Sequence, residues 1–208
     1  MPRFKFVITL FALFSFASGN AQVLTPKVSS YQKGRTLFAE KKYAAAHALF
    51  KNNIEKLEPN STAKETCAYY LALSAVKLNT KEAPALLANF EKKHPTSPLK
   101  NKLFLAVGNH YHNESKAATS LKWLRKVNPQ YLTKKQKEAY HFKMGYALLS
   151  NKKYTEAKRH FLPLTQSKTL ATEANYYYGY LSYIQKDEDT AQKYFEKLSG
   201  NKRYQKEN

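Results

Sequence analysis

Cysteine is all but missing: Cys67 is the sole one, so the chain cannot form an internal disulfide and its stability has to come from packing. Aspartate is nearly as rare. Asp187 and Asp189 are the only two, and both fall in one polar stretch that reads as a turn. Arginine is limited to Arg3, Arg35, Arg125, Arg159 and Arg203, so lysine supplies most of the formal charge of +20. Lysine is a hydrated point charge poorly suited to bidentate recognition of phosphate or bases, so nucleic acid is not the expected partner. No phosphate loop, nucleophile elbow or dinucleotide fingerprint occurs, and no cofactor is expected. His110 and His112 stand two apart, a spacing that sends helical side chains in different directions, so no metal site is expected of them. Cys67 lies in an apolar helical stretch without a neighbouring base and reads as a small buried hydrophobe. These shortages argue against an enzyme.

The long apolar segment of a membrane helix is lacking too. Arg3 and Lys5 precede an apolar run from Phe6 to Phe16, followed by small residues up to Ala21, the pattern of a cleaved export signal over 1–21. That run falls well short of the ~20 residues a bilayer-spanning helix needs, which makes an uncleaved anchor the weaker reading. No cysteine stands near the cleavage point to carry a lipid. A short linker, 22–26, then leads into the main body, whose 43% apolar content is ample for a core.

Glycine is scarce but placed in register. Gly34 and Gly108 are separated by twice the spacing of Gly108 and Gly145, with Ala72 in the vacant slot, and Gly179 follows 34 residues after Gly145. Other residues travel with the glycines. Tyr43, Ala46 and Phe50 follow Gly34 at the offsets at which Tyr154, Ala157 and Phe161 follow Gly145; after Gly179 the slots hold Glu188, Ala191 and Phe195. Two antiparallel helices need a small residue where they cross, a role that fits Gly145 against Ala157 and Gly179 against Ala191. Polar turns at 151–153 and 186–187, and stretches 58–61 and 94–97, punctuate the pattern. Pro163 should end or kink its helix.

On these residues the chain resembles the tetratricopeptide repeat (TPR) family, and the combination with an export signal is similar to exported repeat proteins of the Bacteroidota. The resemblance implies an all-α solenoid of about five helix-turn-helix repeats, near 27–64, 65–100, 101–137, 138–171 and 172–205, with a tail at 206–208. Two copies depart from the pattern: Pro84 and Ala88 fall in the Ala and Phe slots of the second, and Ser120 and Leu124 in those of the third.

The resemblance further implies a non-catalytic scaffold of the cell envelope, in the periplasm or at the outer membrane, gripping a protein or peptide on the concave face made by the first helix of each repeat. The family's groove positions map to Tyr31, Arg35 and Phe38, then Tyr69, Leu73 and Val76, then Leu105, Asn109 and His112. Phe142, Tyr146 and Leu149 follow, then Tyr176, Tyr180 and Tyr183. Tyrosine suits such a groove, giving large contact area with a hydroxyl for pairing, though the same rings could pack helix against helix. The family's basic clamp for acidic C-termini is not reproduced, since Leu105 stands where a lysine is needed. The lysine excess supports an alternative, a module that attaches to anionic lipid or polysaccharide. The last helix carries an apolar stripe with no capping helix after it, so the solenoid is expected to continue or self-associate there.

Overall fold

The computed structural model describes residues 26–199; the expected export signal, the linker before Pro26 and the tail lie outside the described residues. Ten α-helices and two short 3-10 turns make up the described residues, with no strand among them. The helices form five antiparallel pairs. They are α1 (Pro26–Ala39) with α2 (Tyr43–Ile54), α3 (Thr62–Lys77) with α4 (Ala83–Lys93), and α5 (Pro98–Asn113) with α6 (Ala117–Leu124). α7 (Lys134–Ser150) with α8 (Tyr154–Phe161) and α9 (Ala171–Ile184) with α10 (Glu188–Glu196) complete the stack. The first helices begin slightly earlier than expected, so each expected repeat boundary falls in or just past the first turn of the following helix.

Local chemistry sets the helix ends. Ser61, Ser97 and Asp187 cap α3, α5 and α10 by accepting backbone N–H bonds, and Thr133 with Gln136 closes a capping box on α7. Pro163 stops α8 at Phe161, leaving a 3-10 turn over Leu162–Leu164. The turn inside each pair follows one rule. Lys41, Asn79, Ser115, Lys152 and Lys186, each seven residues after the Gly or Ala slot, adopt positive φ. The N–H of the next residue then donates back to the helix, as in Lys153 N to Leu148 O at 2.9 Å and Asp187 N to Ser182 O at 3.0 Å. This is a left-handed C-cap made five times without glycine.

The glycines sit at the helix crossings, where the nearest atoms belong to the large residue sixteen positions on; at Gly179 the alanine comes close as well, with Ala191 O at 3.3 Å. A methyl added at Gly34 would lie 2.8 Å from Phe50, at Gly108 2.6 Å from Leu124, at Gly145 2.8 Å from Phe161 and at Gly179 2.9 Å from Phe195. Each glycine is thus a socket into which a ring or Leu of the partner helix presses. Ala46, Ala157 and Ala191 are buried alongside. Ser120, in the same slot, is buried with its hydroxyl donated to Gly108 O at 2.9 Å, which is how a polar residue is tolerated there.

The second repeat departs from the expected register. Asn79 turns the chain as in the other repeats, but α4 starts only at Ala83, after the extra residues Lys81 and Glu82. Pro84 and Ala88 are therefore exposed, and Ala83, Leu87 and Phe90 enter the core instead. Whereas α2, α6 and α8 each pack on the next repeat's first helix, α4 makes no comparable contact with α5; α3 and α5 meet directly.

Candidate functional site

The first helices α1, α3, α5 and α7 touch one another in sequence, while no pair of second helices does so to a comparable extent. Closer spacing on one side of a stack makes that side concave, so the first helices line the inner face. Of the residues expected there, several serve the core instead. Tyr31 is 8% exposed and packs edge-on against Phe50 at 6.5 Å; Leu73 is 4% exposed and Val76 fully buried. The reason for Leu73 and Val76 is the direct meeting of α3 and α5, which seals both among Leu103 and Val107. Leu73 and Val76 are closed off, while Tyr31 still lines a cavity of about 270 Å³ with Leu57 and Thr66. Phe38, Tyr69 and Phe142 are half-buried between helices: Phe38 against Tyr43 and Tyr70, Tyr69 against Phe90, Phe142 against Phe161 and Tyr177. Burial, then neighbouring Tyr70, pushes the Tyr69 hydroxyl up to about 12.

The remaining positions reach the surface of the inner face. Arg35 is exposed, its guanidinium 5.8 Å from the Tyr31 ring, and Asn109 and His112 are half-exposed on α5. Tyr146 and Tyr180 are each 39% exposed and Tyr183 63%, the last also bordering an open cavity with Ala191 and Phe195 of α10. Tyr176 is half-buried and stacks in parallel with Tyr180 at 6.3 Å, and Tyr146 meets His112 edge-on at 5.4 Å. Leu105 lines a cleft of about 480 Å³ with Lys102, Tyr131 and Gln136. Among the family's groove positions the exposed aromatic rings are thus on α7 and α9, while Tyr131, 77% exposed, stands on the turn before α7.

Two features escaped the sequence reading. Tyr70 and Tyr177, each two residues before the Ala or Gly slot, stack on the Phe of the preceding repeat: Tyr70 on Phe50 at 5.4 Å and Tyr177 on Phe161 at 4.9 Å. The corresponding slot in α7 holds Lys143, whose Nζ donates to Asn109 Oδ1 at 3.0 Å. Burial and then Lys77 lower the Lys143 ammonium from its ordinary value; burial likewise lowers Lys77, against an opposing pull from Glu114.

The second feature is a Ser74–His47–Glu82 chain, with His47 Nδ1 3.1 Å from Ser74 Oγ and Nε2 2.8 Å from Glu82 Oε1. The order of groups is that of a nucleophile, base and carboxylate. Yet Ser74 is fully buried and donates its proton to Leu71 O at 3.0 Å, so no substrate can meet it. The chain instead ties α2 to α3 and to the turn before α4. His110 is buried and diverges from His112, as the spacing implies. His141 and His160 face each other across α7 and α8 at 3.1 Å, and burial followed by His141 lowers His160 to about 4. Cys67 is fully buried beside Phe50 O, its thiol pushed up to about 12 by burial. Among the described residues no helix is long and apolar enough to cross a membrane, and no group of three or more His, Cys, Asp or Glu side chains could hold a metal.

No family model matches the chain, and no curated protein matches it in sequence. Solved structures do match in shape. "MamA RS-1 ArsTM double mutant" superposes with a TM-score of 0.63 at 12% identity, over 89% of this chain and 99% of that one. "MamA AMB-1 P212121" gives 0.62 at 18% identity, over 84% and 91%, and a MamA structure from MSR-1 gives 0.57 at 19%, over 82% and 93%. At such identities the likeness speaks for the fold, and the fold is a TPR-like all-α solenoid.

Proposed function

We propose that this chain is a non-catalytic scaffold of the bacterial cell envelope that holds a partner protein or peptide on its inner face. The observation that carries the reading is that Tyr146, Tyr180 and Tyr183 are open to solvent on the successive first helices α7 and α9, where most other aromatic residues among the described residues are buried or half-buried. Such rings offer contact area at low cost in side-chain entropy. The exported location is supported by Arg3, Lys5, the apolar run and the small residues ending at Ala21. An expected outcome is that proteins captured by the chain from an envelope extract are lost with Y146A/Y180A/Y183A while the variant stays folded. Capture unchanged by the triple variant would remove the groove from the account.

The formal charge of +20 favours a second reading, attachment to anionic lipid or polysaccharide. Salt separates the two, because electrostatic attachment fades steeply as ionic strength rises and aromatic contacts do not.

A further inference from the structure

Tyr131 is the most exposed of the large apolar side chains among the described residues, yet it does not sit on a loose loop. The 3-10 turn Pro129–Tyr131 that carries it is held from both sides. Asn128 N donates to Asn101 Oδ1 at 2.7 Å and Asn101 Nδ2 donates to Asn128 O at 3.2 Å, so one amide of α5 ties down the start of the turn. Leu132, directly after the ring, is buried with Phe104 and Tyr140, and Thr133 then opens the capping box of α7. The ring itself is left in solvent. A side chain fixed in place without a packing role is preset for a ligand, because the entropy of ordering its backbone is already lost before binding.

The ring borders the cleft of about 480 Å³ between the N-terminal ends of α5 and α7, within the range of about 300–1,000 Å³ in which ligand clefts fall. Leu105 and Leu132 give this cleft an apolar wall, and Thr96, Lys102 and Gln136 give it polar groups. Gln136 uses its Oε1 on Thr133 N and leaves its amide N–H groups for a ligand; Thr96 and Lys102 have no hydrogen-bond partner among the described residues. No carboxylate among the described residues lines the cleft, and Lys102 is the one charge in its wall, so an ionic ligand finds little to match it. An apolar ligand would strand the polar groups away from water. A sugar meets both demands: the C–H bonds of a pyranose make a flat apolar face for an aromatic ring, and the hydroxyls at its edge pair with amide, hydroxyl and ammonium groups.

We propose that this cleft binds a neutral glycan chain, with Tyr131 stacking on the C–H face of one sugar ring while Gln136, Thr96 and Lys102 hydrogen-bond its hydroxyls. The unspent groups are chiefly donors, and a sugar carries acceptor oxygens all round its ring, whereas a peptide carries them only along its backbone. The site is separate from Tyr146, Tyr180 and Tyr183, which lie in the C-terminal halves of α7 and α9, and it asks for no charge on the ligand. It therefore goes beyond both the protein-binding groove and electrostatic attachment.

The test is isothermal titration calorimetry on the full chain with cellohexaose, maltohexaose and N-acetylchitohexaose, with a melting curve for each variant. Wild type should bind at least one of the three, and raising the salt should leave that binding unchanged. Y131A should weaken it by about tenfold, the scale of a lost aromatic contact. Y131F, which keeps the ring, should stay within about threefold of wild type, and Q136A should lose about threefold as one hydrogen bond goes. Y183A removes an exposed tyrosine from the other end of the first helices and should change binding by less than about twofold. All four positions changed are exposed or keep their ring, so each variant should melt with wild type. Binding of none of the three sugars, equal losses in Y131A and Y183A, or a loss in Y131F as large as in Y131A would each overturn the proposal. So would attachment to phosphatidylglycerol vesicles, or capture of an envelope protein, that is lost with Y131A while no sugar binds; the ring would then belong to a membrane or protein contact. If the sugars fail but Y146A/Y180A/Y183A still abolishes partner capture, the scaffold stands and the glycan cleft alone falls.

Discussion

The second and fourth repeats are fastened to a neighbouring repeat by different means. In the fourth, Gly145 receives the Phe161 ring, which in turn stacks on Tyr177 of the next repeat, so one buried ring fastens two crossings. In the second, Ala72 replaces the glycine, α4 begins two residues late, and polar bonds from α2 tie the repeat to the first: His47 to Ser74, His47 to Glu82, and Lys51 to Glu82 at 2.9 Å. The difference teaches that neighbouring repeats can be joined by a hydrogen-bonded chain beside a ring stack, as between the first and second, or by a ring that also fills a glycine socket, as between the fourth and fifth. The cost is directional: polar fastening depends on protonation, and the packing of a ring does not.

Breaking the ring contact should have the largest effect. Phe161→Ala empties a fully buried site and is expected to cost about 3–5 kcal/mol in urea denaturation. Breaking the polar fastening comes next. His47→Ala leaves Ser74 and Glu82 without their common partner and should cost about 1–3 kcal/mol, with hydrogen exchange rising first in α3 and α4. A cost confined to α7 and α8 would contradict the contrast.

Smaller effects sharpen the comparison. Lys152 takes positive φ with a side chain, and Lys152→Gly should stabilise by about 1 kcal/mol. Asn79→Gly should gain less, since asparagine tolerates that conformation better.

The smallest effects are those of pH. His160 is held at about 4 in the fold against an ordinary 6.5, so the unfolded chain binds a proton first. Its contribution to stability is present above about 6.5 and is lost as pH falls from there towards 4. Hydrogen bonds from Lys51 and then His47 lower the Glu82 carboxyl from 4.5, so its contribution is lost only at more acid pH, as the folded-state value is crossed. Melting curves across the acid range should therefore flatten with H160Q in mild acid and with E82Q at lower pH. The reverse order would sink the assignment.

Much of this was legible in the sequence because sockets leave a visible mark: a scarce glycine, and a Phe or Leu sixteen residues on. Pro163 marked a helix end for an equally local reason. The second repeat misled because Lys81 and Glu82 look like any solvated turn, and nothing in the sequence says that they push Pro84 and Ala88 outward. The five left-handed turns were invisible because lysine, serine and asparagine stand where glycine would have announced them. For the inner face, family positions located the exposed Tyr146, Tyr180 and Tyr183. They failed at Leu73 and Val76, whose burial depends on how closely α3 and α5 approach, a tertiary quantity. Lys143 went unremarked in a chain where lysine is everywhere; only its half-buried stem and its bond to Asn109 set it apart.

The most direct test of the ring-and-socket principle is a double-mutant cycle on Gly145 and Phe161 by urea denaturation. In the wild-type background Gly145→Ala should destabilise by about 1–3 kcal/mol, because the new methyl meets a ring that cannot withdraw. In the Phe161→Ala background the same change should stabilise, by about 0.5–1 kcal/mol, as alanine does over glycine in a helix. An equal cost in both backgrounds would mean that the glycine is not there for the ring, and the stack would need another explanation.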